Sequence, residues 1–142
     1  MRYFIDTNIF LFLCHTPDEL GSEIEALFDD YENSFIISSE SIREIIMLLK
    51  DDRVQMKGWH SYADIRASLD KHGIEIRCVA EAHLKTLYRL CPAPRHSDPA
   101  DLMIIAQAIT EGVPLISSDT KFPLYVRQGL NAVLNKRPNA RR

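Results

Sequence analysis

Four acidic residues stand where this sequence changes from one kind of element to another. Asp6 ends the apolar start of "RYFIDTNIF", Glu44 lies among Ile42, Ile45 and Ile46 in "SSESIREII", Asp101 is at the third helical position of "DPADLMIIAQA", and Asp119 closes "VPLISSD". An ionised carboxylate in an apolar setting is costly unless something pairs with it. Four brought together would repel and raise one another's pKa, and the natural counterpart is Mg²⁺ or Mn²⁺, which prefer oxygen ligands. Two such ions can clamp the attacking and leaving oxygens of an in-line phosphoryl displacement. The chemistry this predicts is phosphodiester hydrolysis by a metal-activated water, with no side chain as covalent nucleophile.

Each acid also has a simpler role open to it. Asp6 can cap the helix that follows it, Ser41 and Glu44 have the spacing of a capping box, and Asp101 suits the positive end of a helix dipole. Capping accounts for one or two of these acids more readily than for four that each fall at a strand end or in an N-terminal helix turn.

Their convergence depends on the elements that carry them. Tyr3, Phe4 and Ile5 read as a short buried strand, with Thr7 and Asn8 starting a helix. Residues 17–32 place Leu20, Ile24, Leu27, Phe28 and Tyr31 at helical spacing, which predicts one helix, and 34–38 read as a strand. A helix is expected over 39–50 with Ser39 at its N-cap, another over 59–73 ended by Gly73, a strand over 74–79 and a helix over about 80–90. "CPAPRHS" at 91–97 must be a loop because of its two prolines. Residues 98–112 carry both helix ends in the sequence, a capping Asp98 before Pro99 and a terminal Gly112. Strands follow over 113–119 and, more weakly, 130–135. This alternation predicts an α/β fold with a mostly parallel central sheet of four to five strands and helices on both faces, and parallel strands would bring Asp6 and Asp119 to one edge of it.

At 142 residues and 46% apolar the chain is one domain's worth. The closing "KRPNARR" at 136–142 is expected to be a flexible basic tail. Cys14, Cys78 and Cys91 form neither an even set nor a C-x-x-C pair and are expected to be reduced thiols in or near the core. No apolar run is long enough to span a bilayer, so a soluble cytoplasmic protein is expected. The net charge of −3 does not exclude a phosphate substrate, since two divalent cations would more than cancel it. Arg43, Lys50, Arg53 and Lys57 are candidates to line a phosphate track, although a solvated helix face explains them as well. The five histidines, His15, His60, His72, His83 and His96, show no metal-ligand spacing and read as surface or satisfied core residues.

The motifs "FIDTNIF", "SSESIREI", "DPADLMIIAQA" and "LISSDTKF", in this order and spacing across nearly the whole chain, resemble those of PIN domains, in particular VapC-type toxins of toxin–antitoxin pairs. The resemblance implies a three-layer sandwich, a Mg²⁺- or Mn²⁺-dependent endoribonuclease acting on RNA, a cognate antitoxin protein and a homodimer. It makes Asp6, Glu44, Asp101 and Asp119 the catalytic and metal-holding set, with Asp98 as an extra ligand, and assigns Asn8 and Ser117 to orienting ligands or water. The sequence departs from the pattern at Leu102, where toxins resembling this one usually have Arg. A lost basic contact near the site is the expected consequence.

Other readings fit less well. A haloacid-dehalogenase-type phosphatase uses D-x-D, and position 8 is Asn; a receiver domain places an acidic pair near its first strand, and "MRYFIDTN" offers one acid. No G-x-S-x-G supports a nucleophilic triad. A catalytically silent PIN-like binding module, and a metal-dependent nuclease acting on structured DNA, remain as alternatives.

Overall fold

The computed structural model describes residues 1–51 and 56–138. Its strands are β1 (Arg2–Ile5), β2 (Ser34–Ser38), β3 (Ile74–Arg77), β4 (Leu115–Ser117) and β5 (Ala132–Leu134). Between them lie α1 (Thr7–His15), α2 (Ser22–Asp29), α3 (Ser39–Leu49), α4 (Tyr62–Lys71), α5 (Glu81–Arg89) and α6 (Pro99–Glu111), with 3₁₀ turns at Pro17–Glu19 and Phe122–Gln128. The five strands form one sheet in the order β3-β2-β1-β4-β5, and every pairing is parallel. The expected α/β sandwich is therefore present, with a fully parallel sheet.

Alternation along the strands explains the layers. Tyr3, Ile5, Phe35, Ile37, Ile74 and Ile116 face one core, where Ile9 and Phe10 of α1, Ile24 of α2, Ile42 and Ile45 of α3, and Ile65 and Leu69 of α4 meet them. Phe4, Ile36 and Leu115 face the other, against Ile104, Ile105 and Ala108 of α6 and the rings of Phe122 and Tyr125. A strand buried on both faces reads as an unbroken apolar run, as "YFI" and "FII" do. Phe4 has no solvent exposure, and truncating such a side chain to Ala costs about 3–5 kcal/mol.

Several expectations are corrected in detail. Residues 17–32 do not form one helix: the chain breaks at Leu20 and Gly21, where the Gly21 amide donates to Asn135 Oδ1 at 2.7 Å. A Cβ on Gly21 would lie 2.7 Å from the Lys136 carbonyl oxygen, so the close approach of the two segments requires glycine. Tyr31, placed by that pattern on an apolar face, is fully exposed beyond the helix end. The helix expected over 59–73 starts at Tyr62, because the Asp64 carboxylate accepts from the His60 and Ser61 amides and fixes the start there. The cap of α3 is Ser38, whose hydroxyl accepts the Glu40 amide, and Ser39 instead accepts from Val79 N. The cysteines are free as expected, but Cys78 and Cys91 are exposed, on the segments that leave β3 and α5.

Within the basic C-terminal segment, Arg137 pairs with Glu19 at 2.5 Å and stands over the Phe12 ring. Residues 139–142 of that expected tail, and Arg53, lie outside the described residues. No helix among the described residues is long and apolar enough to cross a membrane.

The strand order has a functional consequence. From the central β1 the chain winds outward through β2 to β3, then crosses back to β4 on the other side of β1. Where the winding reverses, the loops beyond the carboxyl ends of the two central strands diverge and leave a crevice, the usual place for a ligand in open α/β sheets. Ile5 pairs with Ile116, so Asp6 and Ser117 lie side by side at that crevice.

Candidate active site

Asp6 leaves β1 at its carboxyl end and is almost wholly buried, with 5% exposure. Its Oδ1 accepts the Ile9 amide at 2.9 Å and so caps α1, while Oδ2 accepts the Ser117 hydroxyl at 2.5 Å. Capping thus uses one oxygen of Asp6, and the other is held toward β4. Ser117 Oγ also accepts the Asp119 amide at 3.0 Å, so one hydroxyl ties both strand-end aspartates together. Asp119 Oδ1 in turn accepts the Lys121 amide at 2.8 Å, fixing the turn into the 3₁₀ segment.

Glu44 reaches the same place from α3. The capping box with Ser41 does not form: Ser41 Oγ is buried without a hydrogen-bond partner among the described residues, and Glu44 Oε1 accepts the Thr7 hydroxyl at 2.6 Å. With Ser38 as the cap, Glu44 sits in the second turn of α3, facing the start of α1.

Asp98 and Asp101 divide two roles between them. Asp98 is the cap of α6, its Oδ1 accepting from Ala100 N at 2.9 Å and Asp101 N at 3.3 Å. That frees Asp101, whose Oδ2 lies 3.2 Å from His96 Nε2. Ligand atoms of His96, Asp101 and Asp119 all lie within 4.8 Å of one another, a spacing that suits a metal ion. Sequence spacing missed His96, which precedes α6 in the proline-containing loop and is buried. It missed Thr7 too, where the only signal was a hydroxyl directly after Asp6.

The electrostatics follow from crowding and burial. Burial pushes the Asp6 carboxyl up to about 7, with Asp101 and Asp119 adding to the rise and the bonds from Ser117 and Ile9 opposing it. Glu44 is raised by burial and by Asp98 and Asp101, against the Thr7 bond. Asp101 is raised by burial, with the His96 bond opposing and Asp98 and Asp119 adding. These mutual influences show that the acids share one field. Among the described residues no Lys or Arg forms an ion pair with Asp6, Glu44, Asp101 or Asp119. Arg43, held by Glu40, lowers Glu44 only as the last of its influences, and oxygen donors that repel one another without a paired Lys or Arg among the described residues are the donor chemistry that Mg²⁺ or Mn²⁺ takes.

The flanking residues behave differently from one another. Asn8 is exposed, its side chain makes no hydrogen bond among the described residues, and it lines a cavity of about 710 Å³ with Leu11, Phe12 and Lys57. Leu102 packs against the core that contains Phe4 and Ile104. Arg43 borders a second cavity, of about 440 Å³, together with Glu44 and Asp98, and its guanidinium is held by Glu40 at 3.2 Å.

Solved structures with this fold include chains of VapBC2 from Rickettsia felis, bound to a DNA fragment from their promoter, and of VapBC-1 from nontypeable Haemophilus influenzae. The first is 19% identical with a TM-score of 0.65 over 96% of this chain and 100% of that one. The second is 19% identical with a TM-score of 0.65 over 94% and 98%. VapBC-5 from Mycobacterium tuberculosis, a member of the VapBC family of toxin-antitoxin systems, is 17% identical with a TM-score of 0.62 over 95% and 98%. Among proteins of curated function none matches the chain. The family model that matches residues 3–127 is that of the PIN domain, and as this span contains all four acids and the sheet edge that gathers them, the chain belongs to the PIN domain family.

Proposed function

We propose that this PIN domain, of a family whose members are in general nucleases, is a divalent-metal-dependent endoribonuclease and the toxin of a toxin–antitoxin pair. The observation that carries the reading is the buried Asp6 carboxylate, raised to about 7 and crowded by Asp101 and Asp119, with no cationic side chain paired to it among the described residues. Asp6, Glu44, Asp101 and Asp119 would hold one or two Mg²⁺ or Mn²⁺ ions. A bound cation supplies charge neutralisation at the phosphate and a water acidic enough to attack at neutral pH.

The chain's own residues provide the orientation. Ser117 fixes Asp6 against Asp119, Thr7 fixes Glu44, and Asp98 caps α6 so that Asp101 stays free of the backbone. Asn8, on the exposed rim, is assigned to the incoming ligand. The carboxylates exclude a free phosphodiester by charge, so substrate enters only once cations are in place.

The solved VapBC structures of the same fold support a protein antitoxin as partner. An acidic crevice is a ready dock for an inserted Arg, which pairs with carboxylates through two parallel hydrogen bonds. The reading includes a homodimer in the cytoplasm. Induced expression alone should arrest growth, and co-expression with the adjacent short reading frame should relieve the arrest and yield a complex that cuts RNA poorly. Harmless expression, with no bound neighbour, would remove the toxin assignment. Preferential cutting of structured DNA over RNA would replace the substrate assignment.

A further inference from the structure

We propose that Tyr125 fixes the ring proton of His96 on Nε2, and that His96 so held orients the Asp101 carboxylate for cation binding rather than ligating the cation itself; the inference rests on the function proposed above. Both are positioning residues. Tyr125 is fully buried in the 3₁₀ segment after β4, and its hydroxyl has two partners, the Ala93 amide at 2.8 Å and His96 Nδ1 at 2.7 Å. The amide can only donate, so it occupies a lone pair of the phenol oxygen. The phenol has one proton, and His96 Nδ1 is the acceptor left for it.

That assignment fixes the far side of the ring. With Nδ1 accepting, the imidazole proton sits on Nε2 and points at Asp101 Oδ2, 3.2 Å away. The opposite tautomer would leave the phenol proton without a partner among the described residues and turn a lone pair toward a carboxylate. Packing holds the ring in place: it meets Tyr125 edge-on at 5.4 Å between centroids and lies 5.9 Å from Phe122. The loop is bent for this placement. The His96 amide donates to the Ala93 carbonyl at 3.0 Å, and Arg95 takes φ +62°, a conformation few non-glycine residues adopt.

Asp101 needs such a partner because the last torsion of an aspartate is broad and fixes its oxygens poorly. Holding Oδ2 leaves Oδ1, which makes no hydrogen bond among the described residues, as the oxygen free for a cation. Partners behind a metal-ligating side chain commonly change metal affinity by about 10–100-fold when removed.

The test uses the full-length, metal-free protein. Long-range ¹H–¹⁵N spectra read which nitrogen of His96 carries the proton, and calorimetric titration reads Mn²⁺ affinity. Wild type should show the proton on Nε2 alone. Tyr125→Phe, which keeps the buried ring but removes the donor to Nδ1, leaves Asp101 alone to hold the imidazole and should bind Mn²⁺ about tenfold more weakly. His96→Leu should lose about 10–100-fold in affinity, and His96→Gln, whose amide can donate to Asp101, should recover most of it. A merely structural role would lower the melting temperature of both His96 variants without separating their affinities. A proton on Nδ1 in wild type, wild-type Mn²⁺ affinity in Tyr125→Phe, or equal Mn²⁺ affinity of His96→Leu and wild type would overturn the proposal. If Tyr125→Phe fails to fold, the two His96 variants decide it. A wild type that binds no Mn²⁺ overturns the metal-dependent nuclease reading and with it the orienting role of His96, whereas the spectra judge the place of the ring proton by themselves.

Discussion

Ser117 donates to Asp6 across 2.5 Å and joins the ends of the two central strands at the point where the sheet reverses its winding. The bond is made to a buried carboxylate, and hydrogen bonds to charged groups contribute about 1.5–3 kcal/mol. Ser117→Ala also removes the acceptor of the Asp119 amide. Urea denaturation at pH 8 should show a loss of at least that size, and a loss under about 0.5 kcal/mol would contradict the geometry.

Asp6 gives the metal-free protein a distinctive pH dependence. Its folded pKa of about 7 lies above the ordinary 3.8, so the folded state binds the proton more tightly than the unfolded chain. This contribution is therefore fully present below pH 4, declines between pH 4 and 7, and is gone above. Its full size is on the order of 4 kcal/mol. Asp6→Asn keeps an acceptor for Ile9 and loses the charge, so without metal it should be more stable than wild type at pH 8 and show a flatter profile. Parallel profiles for the two proteins would refute the burial argument.

Thr7 holds Glu44 between the first turn of α1 and the second turn of α3 at 2.6 Å. Thr7→Val preserves shape and removes the donor. Mn²⁺ affinity should fall by about tenfold, as expected for loss of a partner that fixes a ligand, with little change in helix content by circular dichroism. Unchanged affinity would show that Glu44 is held by packing alone.

Asp98 and Asp101, three residues apart, should respond in opposite ways. Asp98→Ala removes the cap of α6 and should cost about 0.5–2 kcal/mol. Asp101→Asn leaves the cap in place and relieves repulsion, so metal-free stability should hold or rise, while the metal-dependent gain in melting temperature is lost. That gain is about 2.7 kcal/mol for wild type at a hundredfold excess over Kd. A destabilised Asp101→Asn that keeps the full gain would make Asp101 a structural residue.

The sheet and its acids were legible because each is written locally. "YFI" and "FII" are continuous apolar runs ending in polar residues, and Asp98, Pro99 and Gly112 mark both ends of α6, with Gly112 at φ +65°. The break at Gly21 was not legible, since it depends on Asn135 and Lys136 more than a hundred residues away. The histidine of the site was missed for the same reason. His96 gains its meaning from Tyr125, 29 residues on, and no local spacing encodes that pairing. Glu44 was legible as a partner-seeking acid but its partner was not, because Thr7 is 37 residues earlier.

Carboxylates gathered as these are should bind a divalent cation and cut RNA. The most direct test is cleavage of short end-labelled single-stranded RNAs by the purified protein with Mg²⁺, with Mn²⁺ and with excess chelator, beside Asp6→Asn. Internal cuts are expected with either metal, none with chelator, and a loss of about 100-fold or more in the variant, since partners behind metal ligands alone are worth about 10–100-fold. Cleavage that survives chelation, or a variant that cuts like wild type, would contradict that expectation.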